Sequence, residues 1–307
     1  MILPIIEAYR KGEIDKPVYI NKMYEQHARL FEYVSRIRHT ELSSVCIQDD
    51  GLLFTTREHH IKIFCDKNDK RAAPFEILNF ETYESHDALM LYRLINDGDL
   101  IFDIGANIGW YSMHFARKFP RSAVHSFEPV ADTYKDLCRN VQLNQFQNIT
   151  TYPFGFSDEE KTVTFYVSRD TSVSSSARDL VGDESVREIS CHLVKLDDFT
   201  KEHRLQPAFI KCDVEGAELF VFKGALQTIF ACRPVVFTEM LRKWSAKYNY
   251  HPNDIIRLFA DMNYACYTAT RDLKLKSVPT VDELTTETNF IFLHSEKHRD
   301  IIRHYVS

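Results

Sequence analysis

The stretch GDLIFDIGANIGWYS, residues 98–112, decides the fold. Its apolar run at residues 100–104 is typical of a buried strand, and helical spacing follows over residues 107–118. Between the two lie Gly105 and Gly109, in a chain that has only nine glycines among 307 residues. Because glycine accepts unusual backbone angles and lets a ligand approach the backbone closely, this placement predicts a ligand-binding turn between strand and helix.

The alternation of strands and helices continues along the chain. Strands are predicted at residues 100–104, 123–128, 149–154, 209–213, 234–240, 264–268 and 290–294, and helices at 107–118, 131–142, 216–230 and 252–262. Strands that alternate with helices of about 10–15 residues indicate an α/β fold with a doubly wound, mostly parallel sheet. We therefore expect a seven-stranded Rossmann-like sheet within residues 80–294.

The segments on either side of this region have a different pattern. Residues 21–39 carry apolar side chains at helical spacing, and three short β-rich runs follow, the first two joined by an Asp50-Gly51 turn signal. Residues 1–79 are thus predicted to form a helical and β-hairpin extension. The tail, residues 295–307, mixes charged and apolar residues and is predicted to be a solvated terminal helix.

Composition excludes several classes of protein. The net charge of −6 argues against a nucleic-acid binder, which needs basic side chains for the phosphate backbone. No apolar run reaches the ~18 residues of a membrane-spanning helix. The seven cysteines are odd in number and contain no CxxC pair, which favours reduced thiols and a cytoplasmic protein.

An acidic residue follows the glycine loop at a distance that has a functional meaning. Glu128 ends the second predicted strand, about 20 residues after Gly109, where a carboxylate accepts hydrogen bonds from ribose hydroxyls. The glycine spacing is GxxxG and not GxGxxG, so a nicotinamide-dependent oxidoreductase is the weaker alternative. The loop and Glu128 together predict an adenosine-type ligand.

A second acidic cluster lies in IKCDVEGAELF, residues 210–220. Alternate residues of a strand share a face, so Lys211 and Asp213 are predicted to point towards the ligand. Glu215 and Glu218 follow at the start of a helix, where carboxylates also stabilise the helix dipole, and this leaves a structural role open for Glu218. Glu239 ends the next strand and adds a carboxylate at the same edge of the sheet.

Two further segments carry candidate polar groups. His251, in the loop after a predicted strand, is a candidate general base, although an ordinary surface histidine is the more common case. The polar stretch at residues 168–188 is long for a loop in a compact domain, and such loops often close over substrates. Ser175 and Arg178 in this stretch are candidate substrate contacts.

A family resemblance covers residues 80–294. It is carried by FDIGANIGWYS, SFEP, FSD, LDDF, IKCDVEGAE and RPVVFTE, in this order, and the chain thereby resembles the FkbM family of S-adenosylmethionine-dependent methyltransferases of class I. One departure is Cys212, where the family more often has an aliphatic residue. The resemblance implies a methyltransferase sheet with S-adenosyl-L-methionine as the cofactor.

The resemblance also assigns the cofactor contacts. It implies that Asp103, Gly105, Asn107 and Gly109 line the methionine end of the cofactor, with Glu128 at its ribose and Ser157 and Asp158 near the adenine. The predicted cofactor-binding set is completed by Ala106, Pro129 and Asp213.

The predicted activity is transfer of a methyl group to a hydroxyl of a sugar, in a polysaccharide or glycoconjugate, or of a secondary metabolite. Asp213, Glu215, Glu239 and His251 are the candidate catalytic groups, and Lys211 and Glu218 join Ser175 and Arg178 as substrate contacts. The alternatives are a nitrogen or carboxylate acceptor on a peptide or polyketide intermediate, or a cofactor-binding domain without catalysis.

No metal is required by the carboxylate spacing. The N-terminal helices are predicted either to form a homodimer or carrier-protein contact or to cap the sheet.

Overall fold

The N-terminal part of the chain forms a helical hairpin followed by a small antiparallel sheet. In this computed structural model, residues 1–67, 69–168, 175–176 and 186–306 are described. The N-terminal elements are α1 (Ile2–Arg10), α2 (Lys16–Arg38), β1 (Leu42–Ile47), β2 (Leu52–Thr56), β3 (Lys62–Cys65), α3 (Ala73–Phe80) and α4 (Ser85–Leu94). Strands β1, β2 and β3 pair antiparallel in that order. Phe54 and Ile63 are fully buried between this sheet and the rest of the chain.

The elements that follow build the central sheet and its helices. They are β4 (Leu100–Ile104), α5 (Trp110–Lys118), β5 (Ala123–Phe127), α6 (Ala131–Leu143), β6 (Ile149–Tyr152), β7 (Gly155–Phe156), β8 (Lys161–Ser168), β9 (Ser175–Ser176), β10 (Val186–Val194), α7 (Leu196–His203), β11 (Phe209–Cys212), α8 (Glu218–Lys223), α9 (Leu226–Cys232), β12 (Val235–Glu239), α10 (Arg242–Ser245), α11 (Pro252–Ala260), β13 (Tyr264–Ala269), β14 (Leu275–Ser277), β15 (Asn289–His294) and α12 (Arg299–Tyr305).

The central sheet has the strand order β14-β13-β15-β12-β11-β4-β5-β6. The neighbouring strands β6, β5, β4, β11 and β12 of this sheet pair parallel. In contrast, β15 pairs antiparallel with both β12 and β13. This arrangement confirms the predicted doubly wound, mostly parallel α/β fold. All seven predicted strands are present, and β14 is an eighth strand at the edge. The strand order reverses between β4 and β11, and the crevice at such a reversal is where ligands bind in open α/β sheets.

Apolar side chains on both faces of the central sheet pack against the helices. Phe102 and Ile104 of β4 belong to one core cluster, whereas Ile101 belongs to the cluster on the opposite face. This burial on both faces explains why β4 is a continuous apolar run and not an alternating one. The buried strands hold the loops at their carboxyl ends in fixed positions.

A third sheet is formed by the strands β7 to β10. Strands β8 and β10 form an antiparallel hairpin, and β7 and β9 flank it in the order β7-β10-β8-β9. Val163 and Phe165 of β8 pack against Val130 and Cys191. The hairpin therefore brings apolar side chains to the region that follows β5.

The helix predicted over residues 216–230 is observed as two helices, α8 and α9. Gly224 ends the first of them, and a Cβ atom at this position would lie 2.0 Å from the backbone oxygen of Ser157. The two helices therefore meet where the chain passes closely against the segment after β7. This contact joins residues far apart in sequence, so the helical spacing did not reveal the break.

Among the described residues, we find no helix with the length and apolar character needed to cross a membrane. All seven cysteines are free, and four of them are buried. The buried thiols include Cys212, which faces the core on the side of β11 opposite Lys211.

Candidate active site

The turn from β4 into α5 adopts the strained geometry that its sequence predicts. Gly105, Asn107 and Gly109 have φ values of 73°, 50° and 91°, in the left-handed region. A Cβ atom on Gly105 would lie 1.9 Å from the backbone oxygen of Asp213, so this position excludes any side chain. The loop therefore packs directly against the end of β11.

Glu128 holds the same loop from the neighbouring strand. Its buried carboxylate accepts hydrogen bonds from the Asn107 N–H at Oε2 and from the Val130 N–H at Oε1, each at 3.0 Å. Burial raises the pKa of Glu128 to about 7, although both backbone donors oppose the rise. Because each carboxylate oxygen has a second lone pair, Glu128 can still accept hydrogen bonds from a ligand.

A cavity of about 360 Å³, here called the main cavity, opens at the carboxyl ends of β4, β5 and β11. Nine of the residues predicted from sequence line it. These are Gly105, Ala106, Asn107, Glu128, Pro129, Ser157, Lys211, Asp213 and Glu215. At one end its wall is apolar, with Phe156, Val163 and Phe165, and at the other end it is acidic. The volume lies within the range of about 300–1,000 Å³ typical of small-molecule sites.

A buried ion-pair network lies beneath the main cavity. The Lys211 Nζ atom is 3.2 Å from Asp103 Oδ1 and 3.5 Å from Asp213 Oδ2, and it donates a hydrogen bond to the backbone oxygen of Gly105. Burial opposes the charge on Lys211, but attraction to Asp103 and Asp213 outweighs it, so the pKa of the ammonium group is raised. The lysine thus ties β4, β11 and the glycine loop together.

Asp103 does not reach the main cavity. It is fully buried, and Ser112 Oγ donates a 2.5 Å hydrogen bond to its Oδ2 atom. The resemblance implied that Asp103 lines the methionine end of the cofactor, whereas in the structure its carboxylate pairs with the ammonium group of Lys211. Asp103 therefore acts on the cavity through Lys211 and the loop.

The acidic turn after β11 separates two glutamates with different surroundings. Glu215 lines the main cavity with φ of 54°, whereas the Glu218 Oε1 atom accepts hydrogen bonds from the Val214 and Gly216 N–H groups. The hydroxyl of Tyr250 donates to the other Glu218 oxygen at 3.1 Å. These contacts favour the structural role of Glu218, which is to hold the turn that presents Glu215.

Two carboxyl groups hold protons strongly here: Glu215 lines the main cavity, whereas Glu239, at the end of β12, does not. Burial, followed by repulsion from Asp213, raises the pKa of Glu215 to about 9 and that of Glu239 to about 10. Nearby, the Tyr111 hydroxyl donates a 2.5 Å hydrogen bond to Glu84 Oε2, and burial raises the pKa of this carboxyl as well. Since a protonated carboxyl group donates as well as accepts hydrogen bonds, this end can contact a hydroxyl in both ways.

These raised pKa values predict that stability falls as pH rises. Between the unfolded pKa of 4.5 and about 9, the folded protein keeps the Glu215 proton that the unfolded chain has lost. We expect the free energy of unfolding, measured by urea denaturation, to decrease from pH 5 to pH 9. Glu239→Gln should be more stable than the wild type at pH 9 by on the order of 1 kcal/mol. The exposed Glu202→Gln is the control, and a stability that increases over this range would contradict the assignment.

The remaining candidates lie away from the main cavity or outside the described residues. His251 is exposed, and its Nδ1 atom accepts a hydrogen bond from the Asn253 N–H as the cap of α11. Asp158 Oδ1 accepts hydrogen bonds from Ser157 Oγ and Lys161 Nζ. Ser175 lies in β9, of which only the backbone is described, and Arg178 lies outside the described residues. Gly109 caps α5 without lining the cavity.

The sequence did not indicate several residues that line the acidic end. Arg71, Tyr83 and Trp110 contribute to the wall there, together with Phe220 and Tyr248. Two of them precede the central sheet in sequence, in segments without a motif. Their positions follow from the packing of α3 and α4 against the sheet, which no local pattern encodes.

More than half of the chain matches the model of a known protein family. A family model described as "Methyltransferase FkbM domain" matches residues 103–266, more than half of the chain. "Methyltransferase 1" of Beauveria bassiana (strain ARSEF 2860) is 27% identical over 146 residues, which are 42% of this chain and 59% of that protein. "Methyltransferase sdnD" of Sordaria araneosa is 28% identical over 155 residues, 40% of this chain and 59% of that protein.

A solved structure is also similar. The "Methyltransferase FkbM" of Methylobacillus flagellatus KT is 17% identical, with a TM-score of 0.42, and the match covers 71% of this chain and 53% of that one. The chain spans about three-fifths of the length of the two curated relatives it matches.

Proposed function

This chain belongs to the FkbM methyltransferase family, and from that premise we propose that it methylates a hydroxyl group of a sugar or secondary metabolite with S-adenosylmethionine as the methyl donor. The observation that carries the proposal is the main cavity, which joins the glycine loop and Glu128 to the carboxyl groups of Asp213 and Glu215. When bound, S-adenosylmethionine supplies an electrophilic methyl group on a positively charged sulfur.

The donor groups of the main cavity fit this cofactor. Glu128 has free lone pairs for ribose hydroxyls, and Phe156, Val163 and Phe165 offer an apolar surface for a base. At the other end, the carboxylate of Asp213 suits the positive charge of a sulfonium, because opposite charges attract strongly where water is partly excluded. The Lys211 ammonium lies between Asp103 and Asp213 and can also meet a carboxylate of the ligand.

The acidic end is proposed to position and deprotonate the acceptor hydroxyl. Positioning for in-line approach supplies a large part of the rate in a transfer of this kind. Glu215, which lines the main cavity and holds its proton at neutral pH, is a hydrogen-bonding group for the acceptor. Asp213 is ion-paired with Lys211 and is our candidate for the group that accepts the proton. His251 is not carried into this proposal, because it caps α11 and does not line the main cavity.

Binding and turnover variants test the proposal separately. We expect S-adenosylhomocysteine to bind the protein in isothermal titration calorimetry, and Asp213→Asn to keep this binding while losing about 100-fold or more in methyl transfer. Asp261→Asn, an exposed aspartate at the end of α11, is the matched control. A folded protein that does not bind S-adenosylhomocysteine would refute the proposal. Undiminished turnover by Asp213→Asn would refute the role of Asp213 alone.

We also propose that α2 forms a homodimer contact with a second copy of the chain. Ile20, Tyr24, Phe31 and Val34 are exposed and recur at the three- and four-residue steps of a heptad stripe, with His27 completing it. No residue of α2 is buried in the monomer. A stripe of this period matches the seam of one helix packed along another, so a second copy of α2 fits it.

Phe31→Lys is expected to convert the dimer into a monomer in sedimentation velocity, because it places a charge in the centre of the stripe. Phe230→Lys on α9 is the matched control, since Phe230 is 68% exposed and Phe31 is 67% exposed. The control should leave the mass unchanged. A wild-type protein that sediments as a monomer at all concentrations, or a Phe31→Lys variant that stays dimeric, would contradict the contact.

A further inference from the structure

A second cavity, of about 460 Å³, lies between the N-terminal part of the chain and the central sheet. Its wall comes from the end of α2, from the turn after β2, from α4 and from the first turns of α5. The residues of this wall include His59, Tyr83, Ala88, Tyr92, Trp110 and His114. All of these except Trp110 and His114 precede residue 103, where the match to the family model begins.

Tyr83 and Trp110 line both cavities. Their rings meet edge to face, with centroids 5.5 Å apart, and Trp110 follows directly after Gly109 of the glycine loop. Tyr83 shares the lining of the main cavity with Asp213 and Glu215, so its ring lies beside the acidic end. The second cavity therefore adjoins the main cavity at the end where the acceptor is proposed to react.

The second cavity contains an unsatisfied hydrogen-bonding atom. His59 Nε2 is buried and forms no hydrogen bond with any described residue, although Glu58 Oε1 lies 3.3 Å away. The Nδ1 atom of the neighbouring His114 donates a hydrogen bond to the backbone oxygen of Trp110 at 2.8 Å. Because a buried polar atom without a partner destabilises the folded protein, a ligand that pairs with His59 would be favoured.

The charges in this wall are largely balanced within the protein. The Arg57 guanidinium donates to the backbone oxygens of Ile37, Thr40 and Leu42, and Glu81 pairs with Arg36 at 3.2 Å. Glu58 is mostly exposed to solvent.

The titratable groups that face the interior also favour their neutral forms. Burial raises the pKa of the Glu41 carboxyl, and burial lowers the pKa of His59 and, to about 4, that of His114. The interior thus presents aromatic faces and uncharged hydrogen-bonding groups.

We propose that the second cavity binds a neutral, hydroxyl-bearing ring of the acceptor, which the Tyr83–Trp110 pair separates from the main cavity. This inference rests on the proposed function and adds the acceptor class and the residues that select it. A hydroxyl can both donate to and accept from the free atom of His59, whichever nitrogen carries the proton. Tyr92, whose ring lies edge to face with that of His59 at 6.2 Å, supplies a flat wall for the ring.

Saturation-transfer difference NMR with the full chain tests the inference. The probes are methyl β-D-glucopyranoside and methyl α-L-rhamnopyranoside as neutral rings, benzyltrimethylammonium as a cation and benzoate as an anion. We expect the wild-type protein to transfer saturation to at least one glycoside more strongly than to either charged probe. Ala88→Phe should abolish the signal by filling the cavity, and His59→Ala should weaken binding about tenfold, the loss of one hydrogen bond.

Matched controls separate a local effect from a folding defect. Ala260→Phe, on the exposed end of α11, and His192→Ala, on β10, should bind the glycoside as the wild type does. All variants should bind S-adenosylhomocysteine within about twofold of the wild type, because none of these four residues lines the main cavity.

The outcomes distinguish this inference from the proposed function. A protein that binds S-adenosylhomocysteine but saturates no glycoside overturns the inference and leaves the methyltransferase proposal standing. Stronger saturation of a charged probe, or an unchanged glycoside signal in Ala88→Phe, overturns it as well. Loss of S-adenosylhomocysteine binding in the wild type instead contradicts the proposed function.

Discussion

Lys211→Met is expected to lower the free energy of unfolding by about 3–5 kcal/mol and to abolish binding of S-adenosylhomocysteine. The substitution preserves most of the side-chain volume but removes the cation that faces Asp103 and Asp213. Asp103 is fully buried and would be left without its charge partner. Removing one member of a buried pair costs more than the pair contributes, because the remaining charge has no water to solvate it. Urea denaturation and calorimetry measure the two effects.

A double variant identifies the cause of this loss. Asp103→Asn combined with Lys211→Met removes the uncompensated charge, and we expect it to recover roughly half of the lost stability. Lys135→Met is the control, because Lys135 pairs with Asp132 at the surface, where such pairs contribute about 0–1 kcal/mol. A loss below about 1 kcal/mol in Lys211→Met would show that the network does not hold the loop.

Local sequence patterns were enough to predict which side of a strand several residues of the main cavity occupy. The alternation along β11 correctly placed Lys211 and Asp213 on one side and Cys212 on the other. The same alternation could not reveal what Lys211 contacts, because Asp103 comes from a different strand. The sequence therefore assigned Lys211 to the substrate, whereas the structure places its ammonium in an internal network at the floor of the main cavity.

Glu218 and His251 both make contacts within the protein, but only one of these contacts has a signal in the local sequence. The contact between Glu218 and Tyr250 joins residues on different helices and loops, so neither spacing nor composition encodes it. The cap formed by His251, in contrast, has a local signal: a proline follows it and Asp254 lies three residues on. That pattern is the start of a capped helix, and the prediction of His251 as a candidate base did not take it into account.

The wall of Tyr83 and Trp110 beside the acidic end of the main cavity is the part that the sequence describes least. Tyr83 and Trp110 meet because α4 and α5 pack side by side against the sheet, and His59 reaches the same region from the turn after β2. No motif joins these segments. The glycine loop and the strand beside it, in contrast, are nearly continuous in sequence, which is why the sequence could group Gly105, Asn107 and Glu128 in one place.

Gly105→Ala is expected to destabilise the protein by at least about 3 kcal/mol and to abolish binding of S-adenosylhomocysteine. Two separate costs combine at this position. Its φ of 73° is unfavourable for alanine, and the added methyl group would lie 1.9 Å from the backbone oxygen of Asp213. Since neither backbone segment can move without shifting β4 or β11, the strain cannot be relieved by a side-chain rotation.

Two other glycines separate these costs. Gly98 has φ of 115° with open space around its Cβ position, so Gly98→Ala should cost only the conformational part, about 1–2 kcal/mol. Gly224 has an ordinary φ of −80°, but its Cβ would lie 2.0 Å from the Ser157 backbone oxygen, so Gly224→Ala should show the steric part. Gly105→Ala should exceed Gly98→Ala in denaturation experiments and be the more damaging to cofactor binding. Equal losses in these two variants would mean that the contact between the loop and β11 is not as close as described.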